Sequence, residues 1–274
     1  MCYLPGVIRY RQRRLEPFVQ RLKRLRVRVR GGHAKQQTVH LVQVGDLRAK
    51  RVAFAHASQA ATVERALEAL RDTGVAPQPI ARYANELWVE FVEGTPLDSS
   101  APPPVQGLAR VFQDLYRIDP GELARADRDF AREVLRDLHV LRAAGVIDAE
   151  THARLERHAE AWCPARVFTG HDYVDARPGN FLRTAEGRLR IIDVESLVSG
   201  ELIGTGAARA WLRWPGLECE ALLSELAALD VPPFADYADF LELRFVARWT
   251  KRCLLQRKLQ LVEPGLLRSL ATRE

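Results

Sequence analysis

The order of hydrophobic and polar positions divides the chain into a strand-rich part followed by a helix-rich part. Alternating polarity predicts strands in "RVRVR", in "TVHLVQV" and in "LRAKRVAFA", the last two joined by the turn Gly45-Asp46. "QAATVERALEALRDTG" has apolar residues at helical spacing, with Ser58 predicted as its N-cap and Gly74 as its C-cap. "LWVEFV" predicts a further strand. A small β-rich unit with one helix is therefore expected before residue 95.

Beyond a proline-rich connector at residues 99–104, helical periodicity dominates to the end of the chain. Three helices are predicted from "VQGLARVFQDLYRID", "DFAREVLRDLHVLRAAG" and "AETHARLERHAEAW", and one from "YADFLELRFVARWTKRCLLQRK". A single β-hairpin around residues 172–193 interrupts them. We predict an α+β chain with a basic N-terminal extension (1–30), a β-rich N-lobe (31–94) and a helical C-lobe (95–274).

Charge is concentrated at the N-terminus. Residues 1–30 hold ten basic side chains against one acid, a local charge of +9, and since the total is +6 the other residues carry −3. The high pI therefore belongs to this extension, which argues against a general nucleic-acid-binding surface. A basic extension of this kind is suited to anionic lipid or an acidic partner; the alternative is a solvated helix and edge strand.

Other features exclude several classes of protein. No apolar run approaches the roughly 20 residues of a membrane-spanning helix, and the N-terminus lacks the charge order of a signal peptide. We expect a cytoplasmic protein, peripheral to the inner membrane if the extension binds lipid. The four cysteines lie far apart with no spacing suited to zinc, and we expect no metal-ligand pair on a helix from the seven histidines.

The polar residues of "DARPGNFLRTAEGRLRIID" form a pattern that folding alone does not require. Asp175 and Asn180 flank Pro178-Gly179, which favours a turn that brings both side chains into one space. The apolar strand that follows ends on Asp193. An amide oxygen and a carboxylate suit Mg²⁺, and a second carboxylate can orient a hydroxyl and accept its proton. The alternative is turn-forming residues around a hairpin.

This stretch resembles the aminoglycoside phosphotransferase and choline kinase-like family, whose usual form is HGDxHPGNxL…GxIDWE. "ALEALRDTGVAPQPIARYANELWVEFVEGTPL" is similar to the family's helix, turn and hinge strand, and "GLARVFQDLYRIDP" to the helix after the hinge. The matches cover residues 40 to 200 in order. The resemblance implies a two-lobe protein-kinase-like fold and an ATP- and Mg²⁺-dependent phosphotransferase that acts on a hydroxyl of a small molecule or glycan.

The resemblance also implies roles for individual residues. Asp175 becomes the catalytic base, and Asn180 and Asp193 become the Mg²⁺ ligands. Backbone groups of Glu90, Phe91 and Val92 would bind adenine. Lys50 would contact the phosphates, with Arg51 as the other inward candidate, and Glu64 or Glu68 would be the partner of the lysine.

Departures from the family pattern keep a second function open. Tyr173 stands where the family has His, and His171-Asp172 offers a rival alignment that breaks the spacing to Asn180. The chain has no GxGxxG, and "RGGHAKQQT" would have to cover the phosphates. The alternative function is a pseudokinase or nucleotide-binding module without turnover.

Overall fold

The computed structural model describes residues 38–44, 47–125 and 127–273. The basic extension, with its predicted helix and "RVRVR" strand, lies outside the described residues. So do the predicted hairpin turn Gly45-Asp46 and all but one residue of "RGGHAKQQT".

The described residues form ten strands and eight α-helices. The strands are β1 (Thr38–Val44), β2 (Leu47–Ala53), β3 (Pro79–Tyr83), β4 (Glu86–Glu90), β5 (Thr95–Pro96), β6 (Gly121–Ala124), β7 (Arg166–Tyr173), β8 (Phe181–Arg183), β9 (Leu189–Ile191) and β10 (Leu197–Leu202). The helices are α1 (Ala57–Ala69), α2 (Val105–Tyr116), α3 (Phe130–Ala143), α4 (Ala149–Trp162), α5 (Thr205–Arg213), α6 (Cys219–Ala227), α7 (Ala238–Leu255) and α8 (Pro264–Ala271). No helix in this part of the chain is long and apolar enough to cross a membrane.

The chain divides into two compact units. The smaller comprises the residues up to Glu68 together with Gln78–Phe91, and the larger comprises Ala69–Pro77 and Val92–Glu274. The segment 69–77 belongs to the larger unit because it is bonded to β9: the amide of Ile191 donates to the carbonyl of Val75 (2.9 Å). The lobe boundaries expected from the sequence stay a prediction.

The smaller unit contains a four-stranded antiparallel sheet in the order β1-β2-β4-β3. Val42, Ala49 and Trp88 form a buried cluster on one face, and Leu87 and Val89 are buried on the other. Successive side chains of a strand point to opposite faces, so a sheet whose two faces are buried needs apolar residues at consecutive positions. "LWV" in β4 provides them.

The larger unit contains most of the helices and two three-stranded sheets, β10-β7-β6 and β5-β8-β9. The single hairpin predicted around residues 172–193 is therefore an underestimate, since β7 belongs to one sheet and β8 and β9 to the other. The strands that the sequence pattern missed are short or partly polar. Their pairing depends on partners far away along the chain, which a local pattern cannot reveal.

The predicted start of α1 is wrong by a small margin. Helix α1 begins at Ala57, so Ser58 lies inside the helix rather than at its N-cap. The α-helix ends at Ala69, earlier than predicted, and Gly74 caps the short 3₁₀ turn that follows it, in the left-handed conformation (φ 69°) that suits glycine.

Candidate active site

The loop after β7 holds Asp175 and Asn180 together. Pro178–Asn180 form a 3₁₀ turn, and the amide of Asn180 donates to the carbonyl of Arg177 (2.9 Å). The Asn180 Nδ2 then donates to the backbone carbonyl of Asp175 (2.8 Å) and to its Oδ2 (3.0 Å). The turn thus brings the two polar side chains into one space, as the Pro-Gly dipeptide predicts.

Tyr173 connects this loop to the end of β9. Its side chain is fully buried, and its hydroxyl donates to the carbonyl of Asn180 (3.4 Å) and accepts from the amide of Asp193 (3.3 Å). The amide of Ile192 also donates to the Asn180 carbonyl (3.1 Å). Burial, with the nearby Asp193 charge, raises the pKa of Tyr173 well above its usual range, so the phenol stays protonated.

The side chains of Asn180 and Asp193 provide oxygen atoms suited to a hard cation. Both donations from the Asn180 amide use its nitrogen, which leaves Oδ1 as the atom of that group able to bind a cation. The half-buried Asp193 accepts from the Ser196 hydroxyl at Oδ2 (3.2 Å), a contact that fixes the orientation of its carboxylate. A carboxylate and an amide oxygen fit Mg²⁺, which prefers few protein ligands and completes its shell with phosphate and water.

Two arginines neutralise Asp175. The Arg209 guanidinium lies 2.5 Å from Asp175 Oδ1, and the Arg177 Nε lies 3.2 Å from Oδ2. Arg209 is buried, whereas Arg177 is exposed. Burial lowers the pKa of Arg209 and the Asp175 charge opposes that shift, so the buried guanidinium stays charged beside its carboxylate.

The N-terminus of α5 sets the position of Arg209. Gly206 lies so close to β7 that a Cβ there would meet the carbonyl oxygen of Tyr173 at 2.3 Å and Asp172 Oδ1 at 2.5 Å. The amide of Gly206 donates to Asp172 Oδ2 (3.1 Å). Arg209 lies three residues further on, which places it on the same side of the helix. The close approach therefore directs this arginine towards the loop.

Asp172 is the buried carboxylate that joins these elements. It accepts from the amide of Tyr173 (2.6 Å), from Gly206 and from the hydroxyl of Tyr116 on α2 (3.3 Å). Burial raises the pKa of Asp172 to about 7 against these hydrogen bonds, which favour the charged form. Asp172 is the alternative to Asp175 for the catalytic position. Its burial and its three hydrogen bonds to β7, α5 and α2 are typical of a structural group.

Aromatic rings of α7 cover the arginines of α5. The Arg209 guanidinium lies 5.1 Å from the ring centre of Trp249 and 5.5 Å from that of Phe245. Arg213, one turn later, lies over the same two rings and forms an ion pair with Glu263 (2.6 Å). Stacking of this kind stabilises a desolvated cation.

In the smaller unit, the predicted phosphate ligand and its partner lie on the sheet and helix expected for them. Lys50 is half-buried on β2, in register with Val89 of β4. Arg51, its neighbour, is buried on the opposite face and paired with Glu86 (3.2 Å). Glu64 of α1 pairs with Arg82 of β3, and Glu68 is exposed one turn later. The roles of Lys50 and Glu64 stay predictions.

Some backbone groups of the predicted hinge are bonded within the smaller unit. The amide of Glu90 donates to the carbonyl of Gln78 (2.8 Å), and that of Phe91 donates to the carbonyl of Arg48 (3.4 Å). Val92, the next residue, is buried. Adenine recognition at Glu90–Val92 would therefore depend on carbonyl oxygens, which can accept a second hydrogen bond, and on the Val92 amide.

Sequence reasoning missed Arg209, Ser196 and the structural role of Asp172. The glycines of "GTGAARAW" were a usable signal, because glycine at a helix start can mark a close approach of backbones. Nothing local to Arg209 indicates its partner, which lies 34 positions earlier in the chain.

The comparisons with known proteins find solved structures only: no protein-family model and no curated protein matches the sequence. The chain is similar to choline kinase LicA from Streptococcus pneumoniae (17% identity, TM-score 0.60, covering 86% of this chain and 90% of that one). It is also similar to a thermostable mutant of aminoglycoside phosphotransferase APH(4)-Ia (16% identity, TM-score 0.61, covering 91% of this chain and 98% of that one). A third similar structure is macrolide 2'-phosphotransferase type I (16% identity, TM-score 0.57, covering 93% of this chain and 97% of that one).

These likenesses establish the fold. The two units together have the protein-kinase-like α+β fold of those structures, which confirms the fold class predicted from the sequence. At 13–17% identity they leave the reaction and its substrates to be argued from the residues themselves.

Proposed function

We propose that this protein is a kinase that transfers the γ-phosphoryl group of ATP to a hydroxyl of a small molecule or glycan. The observation that supports the proposal best is the joining of Asp175, Asn180 and Asp193 through the Tyr173 hydroxyl and the Asn180 side chain. These hydrogen bonds join three residues with oxygen-bearing side chains, from two separate segments, near the end of a strand. The neighbours share the fold and are named as phosphotransferases and kinases, which agrees with this proposal.

Asp175 is the group proposed to act on the acceptor. It accepts a hydrogen bond from the acceptor hydroxyl and takes its proton, while the acceptor oxygen bonds to the γ-phosphorus and the bond to ADP breaks. Contacts from Arg209, Arg177 and Asn180 fix the orientation of the Asp175 carboxylate. Asp175 therefore contributes mainly by orientation, which matches a transition state that requires little proton transfer.

Asn180 Oδ1 and the Asp193 carboxylate would hold Mg²⁺, and this donor set fits a hard cation. The metal, when bound with ATP, supplies charge neutralisation to the phosphates. Ser196 and Tyr173 contribute by fixing the two ligands in position. Such supporting contacts are typical around metal ligands.

For the smaller unit, we propose that Lys50 contacts the phosphates and that backbone groups of Glu90–Val92 bind adenine. Glu64, which also pairs with Arg82, and Glu68 are both candidates for the partner of Lys50. The burial of Arg51 in its pair with Glu86 supports Lys50 rather than Arg51 as the phosphate ligand.

The acceptor is proposed to be a sugar hydroxyl on an anionic glycan, such as a lipopolysaccharide core sugar; the alternative is an aminoglycoside-like compound. The +9 extension supports the first, because it would attract an acceptor attached to anionic lipid. Binding to anionic vesicles that weakens with salt and disappears when residues 1–30 are deleted is the expected result. Vesicle binding that is absent in the full chain would remove this acceptor class.

The test of the reaction is ATP consumption with a panel of hydroxyl acceptors, by wild-type protein and Asp175→Asn. Wild type should turn over with at least one acceptor, whereas the variant should bind Mg²⁺ and ATP without transfer. Nucleotide binding without turnover by wild type on any acceptor would replace the kinase with the nucleotide-binding module.

A further inference from the structure

Two histidines and a glutamate on neighbouring helices form a cluster outside the proposed active site. His139 lies on α3, and His152 and Glu156 lie one turn apart on α4. One ligand atom from each side chain lies within 4.8 Å of the others. Sequence pattern alone does not indicate this cluster, since the two histidines are on different helices and 13 positions apart.

His152 points into the cluster without a hydrogen bond. It is 1% exposed, and neither ring nitrogen has a hydrogen-bond partner among the residues that the structure describes. Its Nδ1 lies 3.1 Å from Glu156 Oε2, close enough for an ion pair but without hydrogen-bond geometry. A buried imidazole without hydrogen bonds destabilises the fold because its nitrogens have lost their contacts with water. A ligand bound to the ring would compensate for that lost free energy.

The protonation states suit metal binding. Burial lowers the pKa of His152, more than the charge of Glu156 raises it, and the charge of Arg142 lowers it further. The ring is therefore neutral at physiological pH, the form that binds metals. The positive charge of exposed Arg142 would repel a bound metal cation, and the negative charge of the Glu156 carboxylate compensates for that repulsion.

His139 has its ring orientation fixed by its own helix. Its Nδ1 lies 3.1 Å from the carbonyl oxygen of Leu135. The same nitrogen lies 3.7 Å from Glu156 Oε1. In the tautomer whose Nδ1 donates to the carbonyl, Nε2 carries the lone pair and is the atom that would bind a metal, the usual arrangement around protein-bound zinc.

We propose that His139, His152 and Glu156 bind a divalent transition metal of the zinc class and link α3 to α4. Two imidazoles and a carboxylate select Zn²⁺ and its neighbours over Mg²⁺ and Ca²⁺, which prefer oxygen ligands alone. Bonds of about 2.0 Å in tetrahedral geometry place ligand atoms about 3.3 Å apart. Small side-chain movements from the observed separations reach that geometry. His139 and Glu156 are accessible to solvent, so water completes the shell.

The experiment is calorimetric titration of the tag-free full-length protein with Zn²⁺ in excess Mg²⁺, which keeps the proposed magnesium ligands occupied. Wild type should bind one equivalent, and its melting temperature should rise with zinc. His139→Ala and Glu156→Gln should each weaken binding by at least about tenfold, since a ligand loss exceeds the effect of losing a supporting contact. Both positions are solvent-accessible, so these variants should keep the wild-type circular dichroism spectrum.

Two matched controls complete the design. His56→Ala removes another exposed histidine, and Glu150→Gln changes another exposed glutamate of α4; both should bind zinc as wild type does. An anomalous peak between α3 and α4 at the zinc edge would locate the ion. Absence of zinc binding by wild type, or binding equal to wild type in both cluster variants, would overturn the proposal. Because the readout is zinc binding, neither result depends on the kinase proposal.

Discussion

The guanidinium of Arg209 lies 2.5 Å from the Oδ1 of Asp175. The contact joins a buried helix residue to a half-exposed carboxylate of the loop, so the helix fixes where that carboxylate points. The buried cation restricts the geometry of the proposed base. Phosphoryl transfer depends on positioning more than on proton transfer, so the contact favours the reaction.

Arg209→Lys should lower kcat about 10- to 100-fold with a smaller change in KM, because a shorter, non-planar cation holds Asp175 in a different position. Steady-state kinetics with the acceptor found in the panel measures the effect. Arg213→Lys is the matched control: it lies one turn away over the same rings but pairs with Glu263. Equal losses in the two variants would show that α5 packing, rather than contact with Asp175, is responsible.

Tyr173→Phe should weaken Mg²⁺-dependent ATP binding several-fold and destabilise the protein by about 1 kcal/mol. The variant removes the hydroxyl that joins the Asn180 carbonyl to the Asp193 amide, and it leaves that amide without its acceptor. Nucleotide titrations across Mg²⁺ concentrations and urea unfolding measure the two effects.

Tyr237→Phe serves as its control. The buried Tyr237 hydroxyl donates to the carbonyl of Ile203 (3.3 Å), away from the proposed metal ligands. Its loss should cost similar stability and leave the Mg²⁺ dependence unchanged. A Tyr173 variant with wild-type Mg²⁺ dependence would mean that the hydroxyl only supports folding.

How far the sequence predicted this site depended on the distance between partners along the chain. Asp175 and Asn180 are five residues apart across a Pro-Gly turn, and local turn chemistry was enough to bring them together. Asp193 followed from the end of the next apolar strand. The loop residues were therefore predictable, and the Asn180 contacts agree with that prediction.

Partners from distant elements were not predictable. The resemblance implied Glu64 or Glu68 as the partner of Lys50, and Glu64 forms an ion pair with Arg82 on β3. Exposed helix faces offer several acids within reach of several bases, and periodicity cannot rank them. For Arg209, the relevant information is the approach of α5 to β7, which exists only once both are folded.

Gly206→Ala should destabilise the protein by about 2–3 kcal/mol or more, because a Cβ there would meet backbone and a buried carboxylate that cannot move aside. Urea unfolding measures the loss, and activity should fall as Arg209 moves with α5. Gly265→Ala is the control: it is also the second residue of a helix, but nothing lies within 4 Å of its Cβ position. The control should be neutral or stabilise the protein by up to about 1 kcal/mol. A neutral or stabilising effect at both positions would show that the Cβ at position 206 is accommodated and that the contact with β7 does not require glycine.

The buried Asp172 should make stability depend on pH in a direction opposite to that of most carboxylates. Burial raises its pKa from 3.8 to about 7 in the folded protein, so the folded state holds the proton more tightly than the unfolded state. The stability that protonated Asp172 contributes is fully present below the pKa that Asp172 has in the unfolded chain. It is lost as the pH rises to about 7, at roughly 1.4 kcal/mol per pH unit. Asp172→Asn does not titrate, so the free energy of unfolding of wild type should fall relative to the variant between about pH 4 and about pH 7, then run parallel to it.

Urea unfolding of both proteins across that pH range gives the difference between their free energies of unfolding. All other titrating groups are common to the two proteins, so their contributions cancel in this difference. Asp148→Asn is the matched control, because hydrogen bonds from Thr151 lower the pKa of that N-cap carboxylate and it is ionised in both states above about pH 5. Its difference from wild type should therefore be constant between about pH 5 and about pH 7, where the Asp172 difference is still growing. Parallel curves for wild type and Asp172→Asn would show that the three donors around Asp172 keep it ionised, and the loop and α5 would then be held together by a buried charge.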